Sequence, residues 1–438
     1  MKKKISLAIL AILATTGIHA QEAWSLGDCI SYAITNNIQI KRQELNAIQE
    51  KNSLLQSKLN LLPSISGSGS YGINWGRSLD ITTNQYVETR NQSANLSASA
   101  SATLFAGLQK QNAIKRNELN YQAATQDVEK LRNDISLNIA GAYLQILLDE
   151  ERLLIAEEQL KTTTEQLAKT KILVDAGSVT MSAYLDLQAQ RATEEVEVVV
   201  AKNNIAVSYL NLKQLLDIQT DDSFKIENPE IEVLPEVRRI SDVNQIFEQN
   251  SALRPEVKSA EYRLLSARKQ LSIAKGADYP GLSIGGGFTT QYSEAAPNSF
   301  SDQIRNNYYY NFSLRLSVPI FNGWQTRTAI RNTKLNVRNA ELQLQQTKNN
   351  LYKEIQQAEV DAEAALQRYH ASQKNVTALQ ESFRYVEQKF NVGMVNTTDY
   401  NIAKKNLARA QSELAQSKYQ FIFQSKILDF YQGIPLSL

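Results

Sequence analysis

Cysteine, histidine and proline are scarce in this 438-residue chain, and each scarcity excludes something. One cysteine, Cys29, cannot build a disulfide framework within the chain. Two histidines occur, and only His370 lies beyond the leader described below. With Cys29 alone and no base or metal partner at a suitable spacing, the chain offers no catalytic residue, metal site or cofactor site. Charge of one sign is also lacking. The formal net charge is +2, and without Lys2, Lys3 and Lys4 it falls to about −1, so no strong field for nucleic acid is implied. Beyond the leader no run of eighteen apolar residues occurs, so no transmembrane helix is expected.

The leader is the first twenty residues. Three lysines precede an apolar run from Ile5 to Leu13, and the small residue Ala20 ends the segment. This pattern is that of a secretory signal peptide over residues 1–20. Cys29 lies nine residues beyond the cleavage point, behind Asp28, so lipidation there is not expected. Two classes remain: a soluble exported protein and an outer-membrane β-barrel.

The absence of proline between Ser64 and Asn228 permits very long helices. Ile139, Ile146, Leu153, Leu160, Leu167 and Val174 recur every seventh place, which keeps one helical seam facing a partner. Extended back to about Leu108, this coiled-coil arm is a rod of roughly 100 Å. A second arm, Trp324 to Asn391, pairs Leu351/Ile355, Ala358/Ala362, Ala365/Tyr369, Ser372/Val376, Leu379/Phe383 and Val386/Phe390. A return helix, Asp399 to Tyr431, carries Leu407, Leu414, Phe421 and Leu428 on one seam.

Elsewhere the period changes from 3.6 to 2. Residues 25–62 read as a helix with Leu45, Ile48, Leu55, Leu59 and Leu62 on one row, ended by Pro63. In 64–75, Ser64, Ser66, Ser68 and Ser70 alternate with Ile65, Tyr71, Ile73 and Trp75. In 95–105, Leu96, Ala98, Ala100, Ala102 and Leu104 alternate with serines and Thr103. Strands 282–292 and 308–320 repeat the scheme, with Tyr308, Tyr310, Phe312, Leu314, Leu316 and Val318 opposing Asn311, Ser313, Arg315 and Ser317. Gly67, Gly69 and Gly72 match a dinucleotide fingerprint, but inside an alternating strand that follows a helix they read as small-residue packing.

The whole order of events recurs about 216 residues later: Pro63 answers to Pro280, Phe105-Ala-Gly107 to Phe321-Asn-Gly323, and Gly177 to Gly393. The expected division is therefore a first repeat over 21–216, a connector over 217–240 on the outside of the rods, and a second repeat over 241–438. Four strands cannot close a barrel, since about eight is the minimum, and an open sheet in lipid would leave edge groups unpaired. Other copies of the chain must close it, with Tyr71, Trp75, Tyr292, Tyr308 and Tyr310 as an aromatic belt in outer-membrane lipid and the hydroxyl face lining water. Two rival readings are a soluble sheet packing its oily face on a core, and a periplasmic coiled-coil adaptor or structural protein that never inserts.

With these features the chain resembles the TolC-like outer-membrane efflux proteins, or outer-membrane factors. The resemblance covers essentially all of the chain beyond the leader. It rests on the duplicated order, on Pro63 and Pro280 at helix–strand joints, on the corners at Phe105 and Phe321, and on the motif Lys389-Phe-Asn-Val-Gly-Met-Val-Asn-Thr-Thr-Asp399. It implies an α+β membrane protein. Long coiled-coil helices would form a periplasmic α-barrel, and four strands per chain would contribute to a twelve-stranded β-barrel of a homotrimer in the outer membrane. It also implies a passive exit duct for small molecules or type I secretion substrates, joined through a periplasmic adaptor to an inner-membrane pump of the RND or ABC class.

By the same resemblance the tip turns, with Gly177 and Val179 in one and Gly393 and Val395 in the other, face the adaptor. They form the closable inner end of the tunnel. Asp399, six residues after Gly393, matches the family's entrance aspartate, and three such carboxylates would ring the pore. A first-turn acid that steadies its own helix is the plain reading, compatible with the other. The chain departs from the family in placing Ala183 at the matching first-half position and Ile402 where a second acid is expected. Phe390 and Val395 replace the tyrosine and arginine used as gate locks, which points to a closed state held by apolar contact. Arg315 is the candidate charged residue of the barrel lumen.

Overall fold

The computed structural model describes residues 23–79, 83–88, 90–218, 224–229 and 243–438. The expected signal peptide, and Ile231, Val233 and Pro235 of the connector, lie outside the described residues. The elements are helices α1 (Leu26–Asn36) and α2 (Ile38–Leu59), strands β1 (Ser64–Asn74), β2 (Ser78–Leu79), β3 (Tyr86–Val87) and β4 (Asn91–Ala106), and helices α3 (Gln109–Asp175) and α4 (Met181–Leu216). Then follow α5 (Val243–Asn250), α6 (Pro255–Gly276), β5 (Gly281–Ser293), α7 (Phe300–Asn306), β6 (Tyr308–Ser317), α8 (Gln325–Asn391) and α9 (Thr397–Tyr431). Both long arms run unbroken for 67 residues.

Several boundaries differ from expectation for local reasons. The helix read over 25–62 is two helices, because Asn37 leaves helical geometry at ψ 127° and its Oδ1 accepts from the Gln39 and Ile40 amides, capping the second helix. The strand read over 308–320 ends at Ser317, two residues before Pro319, which has no amide for the ladder. The strand read over 95–105 extends to Asn91–Ala106. Helix α7, within the β5–β6 connection, has no counterpart in the sequence pattern. It is capped by the Ser299 hydroxyl and clamped by buried Gln303, which donates to the Ser293 and Asn298 carbonyls at 2.9 and 2.8 Å.

The chain forms two compact units. One comprises the described residues up to Arg42, Glu129–Leu253 and Asn349–Leu438; the other comprises Gln43–Val128 and Arg254–Lys348. Each draws on both sequence repeats. In the first unit an apolar core gathers Cys29, Ile40, Ile139, Tyr143, Ile146, Leu212, Leu216 and Tyr419. Phe224 and Ile226 of the connector are buried in that core, and Ile226 forms a parallel bridge with Trp24. The Tyr143 hydroxyl donates to the Glu227 carbonyl at 2.6 Å.

The second unit holds an antiparallel sheet in the order β1-β4-β5-β6, leaving β1 and β6 as open edges. The register places serine opposite serine, with Ser64/Ser101, Ser66/Ser99 and Ser68/Ser97 joined hydroxyl to hydroxyl at 3.1, 3.0 and 2.7 Å. The opposite face is apolar, and Tyr310, Phe312, Leu314 and Leu316 of β6 are exposed along it. The helices of this unit bury Ala123, Val257 and Leu264 and are also tied by polar contacts. Ser259 donates to Asp127 at 2.6 Å and Arg116 donates to Gln270 at 2.7 Å. Leu45, Ile48, Leu55, Leu59 and Leu62, read as one periodic row, are exposed.

Candidate functional site

The two tip turns belong to the first unit and are built alike. Gly177 and Gly393 take φ of +72° and +74°, values that glycine adopts without a Cβ penalty. Each closes its helix with paired bonds: Gly177 and Ser178 donate to Val174 and Leu173 at 2.9 and 2.8 Å, and Gly393 and Met394 donate to Phe390 and Lys389 at 3.0 and 2.8 Å. Val179 and Val395 are both half-buried. These valines, both glycines and Phe390 line one cleft of about 960 Å³. The turns named from the sequence are thus brought together in space.

Asp399 is exposed in the first turn of α9, and its amide donates to the Asn396 side chain, the cap of that helix, at 2.8 Å. Ala183 lines the cleft together with Asp186, one turn further along α4. Asp186 went unnoticed in the sequence. It occupies the position matching Ile402, so the acid missing from the second hairpin stands in the first. Phe390 is half-buried and stacks on Tyr400 with centroids 4.6 Å apart, while Phe383 meets the same ring at 5.4 Å. Burial pushes the Tyr400 hydroxyl well above the ordinary tyrosine range.

One turn beyond Tyr400 lies a polar contact that sequence reading did not find. Lys404, 2 % exposed, donates to Glu194 at 2.9 Å, to the Gln159 carbonyl at 2.5 Å and to the Thr163 hydroxyl, joining α9 to α4 and α3. Glu194 is 3 % exposed and also accepts from Gln190 at 2.9 Å. Burial lowers the Lys404 pKa, opposed by its bond to Glu194. A helical lysine reads as a solvated residue in sequence, and its partner is 210 positions away. Arg315, in the other unit, stands exposed on the polar face of β6 opposite Ser283.

Residues 29–217 and 247–431 match the family described as outer membrane efflux protein. This chain belongs to that family. It is accordingly an outer-membrane protein that reaches into the periplasm. The cation efflux system protein CusC of Escherichia coli K12 is 22% identical over 405 residues, spanning 89% of this efflux protein and 82% of CusC. The toxin and drug export protein A of Aggregatibacter actinomycetemcomitans is 23% identical over 416 residues, spanning 91% and 83%. Among solved structures, the Campylobacter jejuni CmeC outer membrane channel superposes with a TM-score of 0.78 at 18% identity, covering 93% of this efflux protein and 85% of CmeC. Among the described residues no group of histidine, cysteine and acids is placed to hold a metal ion.

Proposed function

We propose that this efflux protein is the exit duct of a tripartite efflux or secretion system, a passive channel for small molecules or type I secretion substrates. Three chains complete a twelve-stranded barrel, and the tip turns dock on a periplasmic adaptor that serves an inner-membrane pump of the RND or ABC class. The observation that carries this reading is the sheet: an apolar face, a ladder of hydroxyls on the other face, and two unpaired edges. Unpaired edge groups in hydrocarbon are unfavourable by several kcal/mol each, so companions must satisfy them. The tip is the gate in this reading. Asp399 contributes charge at the entrance, Phe390 and Val395 contribute apolar contact, and the Phe390–Tyr400 stack stands where an ion-pair lock would otherwise be.

The test is direct. The purified protein is expected to run as a heat-modifiable trimer extracted from outer membranes only by detergent, and to open conducting steps in planar bilayers. Recovery as a lone lipid-free particle, or extraction without detergent as an adaptor would show, refutes it.

A further inference from the structure

The duplicated corner that leads from strand into long helix is made twice from the same backbone and with different side chains. Gly107 and Leu108 have φ of +57° and +60°; Gly323 and Trp324 have +63° and +64°. Two successive left-handed residues turn the chain in both copies, and Leu108 shows that the turn does not require tryptophan. In the second copy the Trp324 ring lies under two guanidinium groups, Arg327 at 4.6 Å and Arg331 at 5.8 Å from the centroid. Lys334 follows one turn later, so the three cations lie on one stripe of α8. The first copy has Gln111, Lys115 and Glu118 at these positions.

None of the three cations pairs with a carboxylate among the described residues. The first acid along α8, Glu341, is already held by Arg338 at 3.0 Å and Arg268 at 3.4 Å. Beside the cations the apolar face of β6 runs on past its last paired residue: Ile320 is 94 % exposed, Phe321 79 % and Trp324 49 %. Exposed apolar side chains therefore end on an aromatic ring, and the ring carries guanidinium groups whose in-plane N–H donors, among the described residues, stay free for a bidentate anion. That sequence of chemistries is the one met on passing from acyl chain to headgroup at a membrane surface.

We propose that Trp324, Arg327, Arg331 and Lys334 form a binding site for the phosphodiester headgroup of an anionic phospholipid in the periplasmic leaflet. The proposal rests on the outer-membrane placement of the sheet. The full-length protein in neutral detergent is titrated with dioleoylphosphatidylglycerol and, separately, dioleoylphosphatidylcholine, and retained lipid is counted by native mass spectrometry. The wild type is expected to prefer the anionic lipid, and Arg327→Gln/Arg331→Gln to weaken its retention about thirtyfold, as for two cations lost beside an anionic surface.

Trp324→Leu, which installs the residue of the first corner, is expected to weaken retention without unfolding the helices, and Lys115→Gln to leave it unchanged. Equal retention of both lipids by the wild type overturns the proposal. So does an unchanged preference in the double variant and in Trp324→Leu, or displacement of the lipid by millimolar inorganic phosphate, which would mark a free-anion site. Conductance in phosphatidylcholine bilayers is read in parallel. Its absence from the wild type would count against the channel reading, whereas conductance with no lipid preference would count only against this site.

Discussion

Replacing Lys404 with methionine removes the ammonium and keeps most of the aliphatic stem. Glu194 would then be left 3 % exposed with only the Gln190 amide, at 2.9 Å, still donating to it among the described residues. Breaking one side of a buried ion pair is destabilising by about 3–5 kcal/mol, because the remaining charge is uncompensated. The loss falls on the junction of α3, α4 and α9, so it is expected first as local opening near the tip. At a factor of ten per ~1.4 kcal/mol, amide exchange around Gln159–Thr163 and Gln190–Glu194 should accelerate roughly a hundred- to a few-thousandfold. Lys404→Met combined with Glu194→Leu should restore most of the protection, since an apolar pair of similar volume is often neutral or stabilising. Hydrogen–deuterium exchange of the detergent-solubilised protein measures both variants. Exchange in the single variant within about threefold of wild type, below ~1 kcal/mol, would refute the assignment of the pair as a buried clamp.

Asp399→Ala should relieve block by multivalent cations added on the tip side of a planar bilayer, while stability changes by no more than about 1 kcal/mol; unchanged block and selectivity would remove the entrance role. Arg315 is the only charged side chain on β1, β4, β5 and β6, so Arg315→Gln should shift the reversal potential in a salt gradient toward cation preference. Alkaline pH is expected to destabilise the first unit. Burial pushes the Tyr209 hydroxyl up to about 12 and raises those of Tyr143, Tyr400 and Tyr419 further. Unfolded tyrosines ionise near 10, so above about pH 10 the unfolded chain binds fewer protons and stability falls, with no effect from these groups below it; a melting midpoint that stays level from pH 9 to 12 would contradict this. Gly107→Ala should prevent sheet assembly, because its Cβ would lie 2.1 Å from the Gly276 carbonyl at φ +57°, whereas Gly177→Ala meets no atom within 4 Å and should lose only about 1–2 kcal/mol. Recovery of heat-modifiable oligomer separates the two.

What was legible in the sequence was whatever obeyed a local period. Ile139 and Ile146 are fully buried, as a seven-residue repeat requires, and the serine parity of β1 and β4 placed their hydroxyls on one face before any register was known. The row from Leu45 to Leu62 shows the limit of that inference. It is periodic, yet exposed, because periodicity announces a face and says nothing of what covers it. Helix α7 was missed because seven residues hold too few turns for a stripe, although Ser299 and Asp302 form a recognisable cap. At the tip, the glycines and Asp399 lay in one short motif and could be named. Asp186 and the Lys404–Glu194 pair could not, because their relation to that motif exists only once two hairpins, over two hundred residues apart in the chain, come side by side.

The bare backbones of β1 and β6 bear on inheritance as well as on folding. In the oligomeric barrel proposed above, each polypeptide carries two adhesive rims until its sisters arrive, and such rims join whatever strand they meet. A defective copy that keeps its rims while losing its tip would still be recruited, and every cylinder it entered would be spoiled. Lesions at the tip should therefore behave as dominant in cells that also make the normal chain, and lesions along the rims as recessive.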